Sequence, residues 1–174
     1  ITLGAASESS TLPYIGLIAR LEEGASADGI HMKHVVLKNA YQYAGCVAAY
    51  ARAVHIRNCT VADVEMSSGK YASGLYIGGI LGCNENGTIL SIQNCFVRGL
   101  DMKLSQGSSV LAAGGILGYG YRNSDVDYPV ITSCYAEGEI STNFSNCGGI
   151  AGQFNGAMEG SYSAVSIYGS TRMG

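Results

Sequence analysis

The sequence predicts an all-β protein, a right-handed parallel β-solenoid of about five coils, and three observations carry that expectation. A Gly-Gly-Ile-x-Gly motif recurs at Gly78–Gly82, Gly114–Gly118 and Gly148–Gly152, with degraded copies at Ile15–Ala19 and Ala44–Ala48. Anchored on Gly16, Gly45, Gly79, Gly115 and Gly149, the copies are spaced 29, 34, 36 and 34 residues apart, a period that marks a repeat architecture. Between the copies lie Ile56-Arg57-Asn58-Cys59, Ile92-Gln93-Asn94-Cys95 and Ile131-Thr132-Ser133-Cys134, whose apolar–polar alternation suits half-buried strands.

Taken in order, residues 1–12 read as an N-terminal cap or partial coil. Coils then run over about 13–40, 41–68, 69–107, 108–144 and 145–174 of one domain, 1–174. Each coil holds a glycine stretch, a loop rich in Asn and Gly, an Ile-x-Asn-Cys strand and a short third strand such as Val61–Val64, Leu100–Met102 or Ile140–Thr142. A helical glycine stretch is excluded on propensity, because each interior Gly costs about 1 kcal/mol relative to Ala. Three short strands per coil, with coils stacked about 4.8 Å apart, describe a rod roughly 24 Å long. The anchor glycines form a ladder where no Cβ fits or where φ is positive. Asn58 and Asn94, with Ser133, form a second ladder. Ile56 and Cys59 are three residues apart and both face inward, so the chain bends at Asn58. Asn tolerates the left-handed conformation such a corner needs, and stacked amides bond along the ladder.

The composition narrows the class. Charged residues make up 13% and hydrophobic ones 47%, with 25 Gly and 2 Pro, which excludes charge-driven disorder and favours a tightly turned β protein. A formal net charge of -3 gives no electrostatic reason to expect nucleic acid. No stretch reaches the roughly 18 apolar residues that span a bilayer, so no membrane insertion is expected. Starting at Ile1 without a charged-then-apolar leader, the chain reads as a mature or excised piece of something longer.

The six cysteines read as packed thiols. Cys59, Cys95 and Cys134 share one slot, which Val35 fills in the first coil and Ser161 in the last, as suits a small buried residue. Cys46 is placed with Leu17, Ile80, Ile116 and Ile150. No CxxC or His/Cys spacing of the zinc type occurs, so no metal and no cofactor is expected.

The order Gly-Gly-Ile-x-Gly, Asn-rich loop, then Ile-x-Asn-Cys-aromatic-x-x-Gly resembles the GLUG repeat of bacterial surface and secreted proteins. It is best matched over Gly78–Gly99 and Gly114–Gly138 and extends over about residues 41 to 170. The resemblance implies a cell-surface or secreted, adhesin-like setting. It implies a non-enzymatic module acting as spacer or as a glycan- or protein-binding scaffold. Its partners would be a host glycan or extracellular-matrix protein and the neighbouring domains of a longer chain. The motif consists of core and turn positions and implies no catalytic residue.

Candidate binding residues gather around the fourth coil: Tyr119, Tyr121, Asn123, Asp125, Asp127, Tyr128 and Tyr135. Amphipathic rings beside amides and carboxylates suit a glycan or protein ligand, although Tyr also fits exposed strand positions for its own sake. Asp125, Asp127, Glu137 and Glu139 are read as the only acidic cluster. They keep open a carbohydrate-active β-helix enzyme, a polysaccharide lyase or glycoside hydrolase, in which paired carboxylates do acid–base work. Asp125-x-Asp127 lacks the fixed Gly and closing Glu of a calcium loop. His31 and His55 are read as one exposed column, and Arg98 and Glu137 as an outward ion pair between coils.

Overall fold

A computed structural model describes residues 1–4, 12–70, 72–84, 90–104, 109–121, 128–142 and 146–169. Strand β1 (Thr2–Gly4) precedes five coils of four strands each. The first coil holds β2 (Tyr14–Ile15), β3 (Ile18–Leu21), β4 (Ser26–Asp28) and β5 (His31–Ala40). The second holds β6 (Tyr43–Gly45), β7 (Ala48–Ala51), β8 (Val54–Arg57) and β9 (Thr60–Ser68). The third holds β10 (Ser73–Gly78), β11 (Leu81–Asn84), β12 (Leu90–Gln93) and β13 (Phe96–Lys103). The fourth holds β14 (Ser109–Gly114), β15 (Leu117–Gly120), β16 (Pro129–Thr132) and β17 (Tyr135–Ser141). The fifth holds β18 (Cys147–Gly148), β19 (Ala151–Phe154), β20 (Ala157–Glu159) and β21 (Tyr162–Tyr168).

Each strand pairs in parallel with its equivalents one coil away. The result is a parallel β-solenoid with four sheets. Sheet I stacks β2-β6-β10-β14-β18, sheet II β3-β7-β11-β15-β19, sheet III β4-β8-β12-β16-β20, and sheet IV β1-β5-β9-β13-β17-β21. The expected three strands per coil are therefore four. The glycine stretch is not one strand, because a corner at Gly79-Ile80 divides it between sheets I and II.

Inward side chains stack in columns. Ala27, Ile56, Ile92, Ile131 and Met158 run down sheet III, and Leu3, Leu37, Met66, Met102, Ile140 and Ile167 down sheet IV. Burying one such side chain contributes about 1.5–3 kcal/mol. Position along the stack decides how much is realised: Ile131, between two coils, is 0% exposed, whereas Met158, on the last described coil, is 43% exposed.

The register moves the glycine ladder by one residue. Gly45 pairs with Gly78, not Gly79, and the column continues through Gly114 and Gly148. Gly79 instead lies beside Cys46, whose amide bonds its carbonyl at 3.4 Å, and Leu17 bonds Cys46 in the same way at 3.0 Å. Cys46 accordingly sits with Leu17 and Gly79, while Val47 takes the place beside Ile80, Ile116 and Ile150. Gly16 stands at the head of the first-glycine column, and the first coil is one residue shorter just after it.

The glycines of the motif make contacts that leave no room for a Cβ. A Cβ on Gly78 would lie 2.6 Å from the Gly118 amide, and one on Gly82 would lie 2.7 Å from the Ala44 amide. Sheets I and II thus lie backbone against backbone, a distance that no side chain permits. A Cβ on Gly79 would meet the Gly115 carbonyl of the next coil and the Val97 side chain.

The corner between sheets III and IV works differently. Gly29, Asn58, Asn94, Ser133 and Gly160 occupy it in the five coils, with φ of 67°, 53°, 52°, 52° and 57°. The bend expected at Asn58 is therefore a left-handed residue in every coil. Asn58 Nδ2 donates to Asp28 Oδ1 at 2.8 Å, and Asn94 Nδ2 donates to Asn58 Oδ1 at 3.3 Å. These amide bonds offset a left-handed backbone cost of roughly 1–2 kcal/mol per residue.

The same corner corrects the alignment of the first coil. Its third strand is only Ser26–Asp28 and turns at Gly29, so Ile30, not Val35, fills the cysteine slot; Val35 pairs with Val64. His31 pairs with Thr60 on sheet IV, whereas His55 stands between Ser26 and Ser91 on sheet III. The two histidines do not share a column. Arg98 registers with Ala62, and Glu137 with Ala164; the Glu137 carboxylate accepts the Tyr135 hydroxyl. All six cysteines are thiols, five of them buried and Cys147 half-buried.

Candidate binding face

Tyrosines gather where sheets I and II meet, over four coils. On sheet I, Tyr14, Tyr43 and Tyr76 stand in register, each two residues ahead of its coil's first glycine. Their rings stack, Tyr14 on Tyr43 at 5.3 Å and Tyr43 on Tyr76 at 6.0 Å between centroids. On sheet II the matching column reads Arg20, Tyr50, Cys83, Tyr119 and Gln153. Tyr50 meets Tyr43 edge-on at 5.3 Å, and Tyr119 lies 4.7 Å from Tyr76. Tyr121, just past the end of β15, extends the run by stacking on Tyr119 at 6.3 Å.

At the first coil the strip ends in a cation. The Arg20 guanidinium lies 5.0 Å from the Tyr50 ring and 5.5 Å from the Tyr14 ring, and it pairs with Glu22 at 2.9 Å. An exposed cation–π contact of this kind contributes about 0.5–1 kcal/mol. Burial, reinforced by the neighbouring Cys83 thiol, raises the pKa of Tyr43 and Tyr76 above the ordinary phenol value. Both hydroxyls are therefore neutral at pH 7, available to donate and accept hydrogen bonds at the rim of an apolar strip. This is chemistry for recognition.

The residues expected around the fourth coil separate into two groups. Tyr119 and Tyr121 belong to the strip; Tyr128, exposed, immediately precedes β16. Tyr135 opens β17 on sheet IV, where it meets Tyr162 at 4.5 Å. Its pKa is raised by the hydrogen bond to Glu137. Asn123, Asp125 and Asp127 lie outside the described residues. Tyr14, Tyr43, Tyr50, Tyr76 and Arg20 are absent from the sequence-based list, although the recurring Tyr-x-Gly in the first three coils carried the signal.

The structure also aligns an acidic row that the sequence reading missed. Glu65, Asp101 and Glu139 stand in register on consecutive strands of sheet IV, beneath Val36 and above Ser166. Lys103 pairs with Asp101. A small depression of about 90 Å³ opens beside the row, lined by Lys38, Glu65, Ser67, Asp101 and Lys103 among others. Among the described residues, no group of three His, Cys, Asp or Glu side chains is arranged to hold a metal ion. Among the described residues, no helix is long and apolar enough to cross a membrane. Compared with known proteins, the chain matches no family model, no curated protein and no solved structure.

Proposed function

We propose that this chain is a non-catalytic solenoid module of a bacterial surface or secreted, adhesin-like protein, and that the tyrosine strip along sheets I and II is its binding face. The observation that carries the reading is the unbroken run of ring contacts from Tyr14 through Tyr43 and Tyr76 to Tyr119 and Tyr121. A strip of this kind offers apolar area with polar tips, and it suits a host glycan or an extracellular-matrix protein. The surface setting is supported by the likeness of the Gly-Gly-Ile-x-Gly and Ile-x-Asn-Cys motifs to GLUG repeats. The test is binding of the purified domain to an array of glycans and matrix proteins. Saturable binding to one class supports the reading, and silence across the array replaces it with that of a spacer.

A second reading has its own observation. Glu65, Asp101 and Glu139 stand in register on consecutive strands of sheet IV, which sets carboxylates side by side, as acid–base cleavage of a glycosidic bond requires. In this alternative the module is a carbohydrate-active β-helix enzyme. Release of reducing sugar from a polysaccharide panel, abolished by Asp101→Asn, would establish it over the adhesive one.

A further inference from the structure

Cys59, Cys95 and Cys134 occupy one inward column on three consecutive coils, and the register holds them there from both sides. Arg57, Gln93 and Thr132 pair across sheet III, and Thr60, Phe96 and Tyr135 pair across sheet IV. The Phe96 amide donates to the Cys59 carbonyl at 2.9 Å, and the Tyr135 amide to the Cys95 carbonyl at 3.0 Å. The three side chains are also oriented alike. Each sulfur lies 3.1–3.3 Å from the carbonyl two residues earlier in its own coil. Each also faces a carbonyl of the preceding coil, at 3.9, 3.8 and 3.6 Å.

Equivalent Cα atoms on paired parallel strands are about 4.8 Å apart, inside the roughly 4.4–6.8 Å that a disulfide spans. The neighbouring Cys95 thiol brings Cys59 down to about 7 and lowers Cys134 as well, while the same two neighbours raise Cys95. The central sulfur therefore holds its proton between two better nucleophiles. Ile30 and Ser161 close the column above and below, so the set is limited to three.

We propose that the Cys59–Cys95–Cys134 column is a reversible thiol–disulfide site, in which Cys95 bonds to one neighbour at a time and clasps two adjacent coils together. The oxidant is a small disulfide. A Cys59 thiolate attacks one of its sulfurs and expels a thiolate, leaving a mixed disulfide on Cys59. Cys95, giving up its proton, then attacks the Cys59 sulfur and expels the second thiolate. Two protein thiols are oxidised by two electrons, and one small disulfide is reduced to two thiols. Cys134 can next attack the Cys95 sulfur and release Cys59, which moves the clasp by one coil with no net oxidation. Cys59 and Cys134 stand two coils apart, roughly 9.6 Å from the strand spacing, and do not pair with each other. All three sulfurs are buried, so the reagent reaches them through local opening of the coil.

The experiment incubates the native domain with 2-hydroxyethyl disulfide, alkylates the remaining thiols and maps the peptides by mass spectrometry. The expected product is one intramolecular disulfide per molecule that always contains Cys95, joined to Cys59 or Cys134, with the strand signal in circular dichroism retained. Cys95→Ser removes that disulfide, and Cys59→Ser directs all of it to Cys95–Cys134. Because Cys59→Ser leaves Cys95 in place, it tests the claim even where Cys95→Ser does not fold. Recovery of Cys95 as an alkylated thiol in wild-type protein that stays folded would overturn the proposal. So would a Cys59–Cys134 disulfide in wild type or in Cys95→Ser.

Discussion

Two corners of each coil turn the chain by opposite means. At the glycine corner, Gly78 faces Gly118 and Gly82 faces Ala44 so closely that the position is defined by the absence of a side chain. At the asparagine corner the position is defined by what a side chain does. Asn58 and Asn94 hold a left-handed backbone by bonding to one another and to Asp28. The first-glycine column, Gly16, Gly45, Gly78, Gly114 and Gly148, thus holds one residue type, and the second corner accepts Asn, Ser or Gly, as its five occupants show. A rigid contact and a replaceable turn divide the labour within one repeat.

The contrast is broken most directly at the glycine corner. Gly114→Ala places a methyl 2.7 Å from the Gly152 amide and forces sheets I and II apart. Overpacking of backbone on backbone is expected to cost about 3–5 kcal/mol, read as a drop in the urea midpoint or loss of cooperative unfolding. Asn94→Ala keeps the left-handed backbone but removes the amide bond, with an expected loss of about 1.5 kcal/mol. Ser133→Gly sharpens the comparison by changing the sign. It relieves left-handed strain at the cost of a more flexible unfolded chain, for a net gain of about 0.5 kcal/mol. An equal loss in all three variants would remove the distinction between the corners.

The same contrast explains what the sequence discloses. The period, the parallel stack, the inward Ile56–Ile92–Ile131 column and the bend at Asn58 are written in residue type, because each needs a particular side chain or none. Register within one residue is harder to read. In the second coil Cys46 occupies the slot of Gly79, so matching glycine to glycine shifts that coil by one position. The shift had a consequence: measured from the wrong glycine, Tyr14, Tyr43 and Tyr76 fall out of line, and the sheet I column of the tyrosine strip disappears. The first coil slips further, because its strand Ser26–Asp28 is short and apolar only at Ala27, which gives the pattern nothing to match against Ile56. The row Glu65, Asp101 and Glu139 lies beyond an extra residue, Gly99, that the fourth coil lacks. Only paired strands reveal it.

The central functional claim is that recognition belongs to sheets I and II and not to sheet IV. Two tyrosines on opposite sides of that claim decide it: Tyr121, which is 38% exposed at the end of the strip, and Tyr135, which is paired with Tyr162 on sheet IV. The measurement is the dissociation constant of the glycan or matrix protein found in the binding array, for wild type, Tyr121→Ala and Tyr135→Ala. Loss of one ring contact predicts at least a fivefold weaker Kd, about 1 kcal/mol, for Tyr121→Ala and no change for Tyr135→Ala. Weakening by Tyr135→Ala alone, or by neither, contradicts the account.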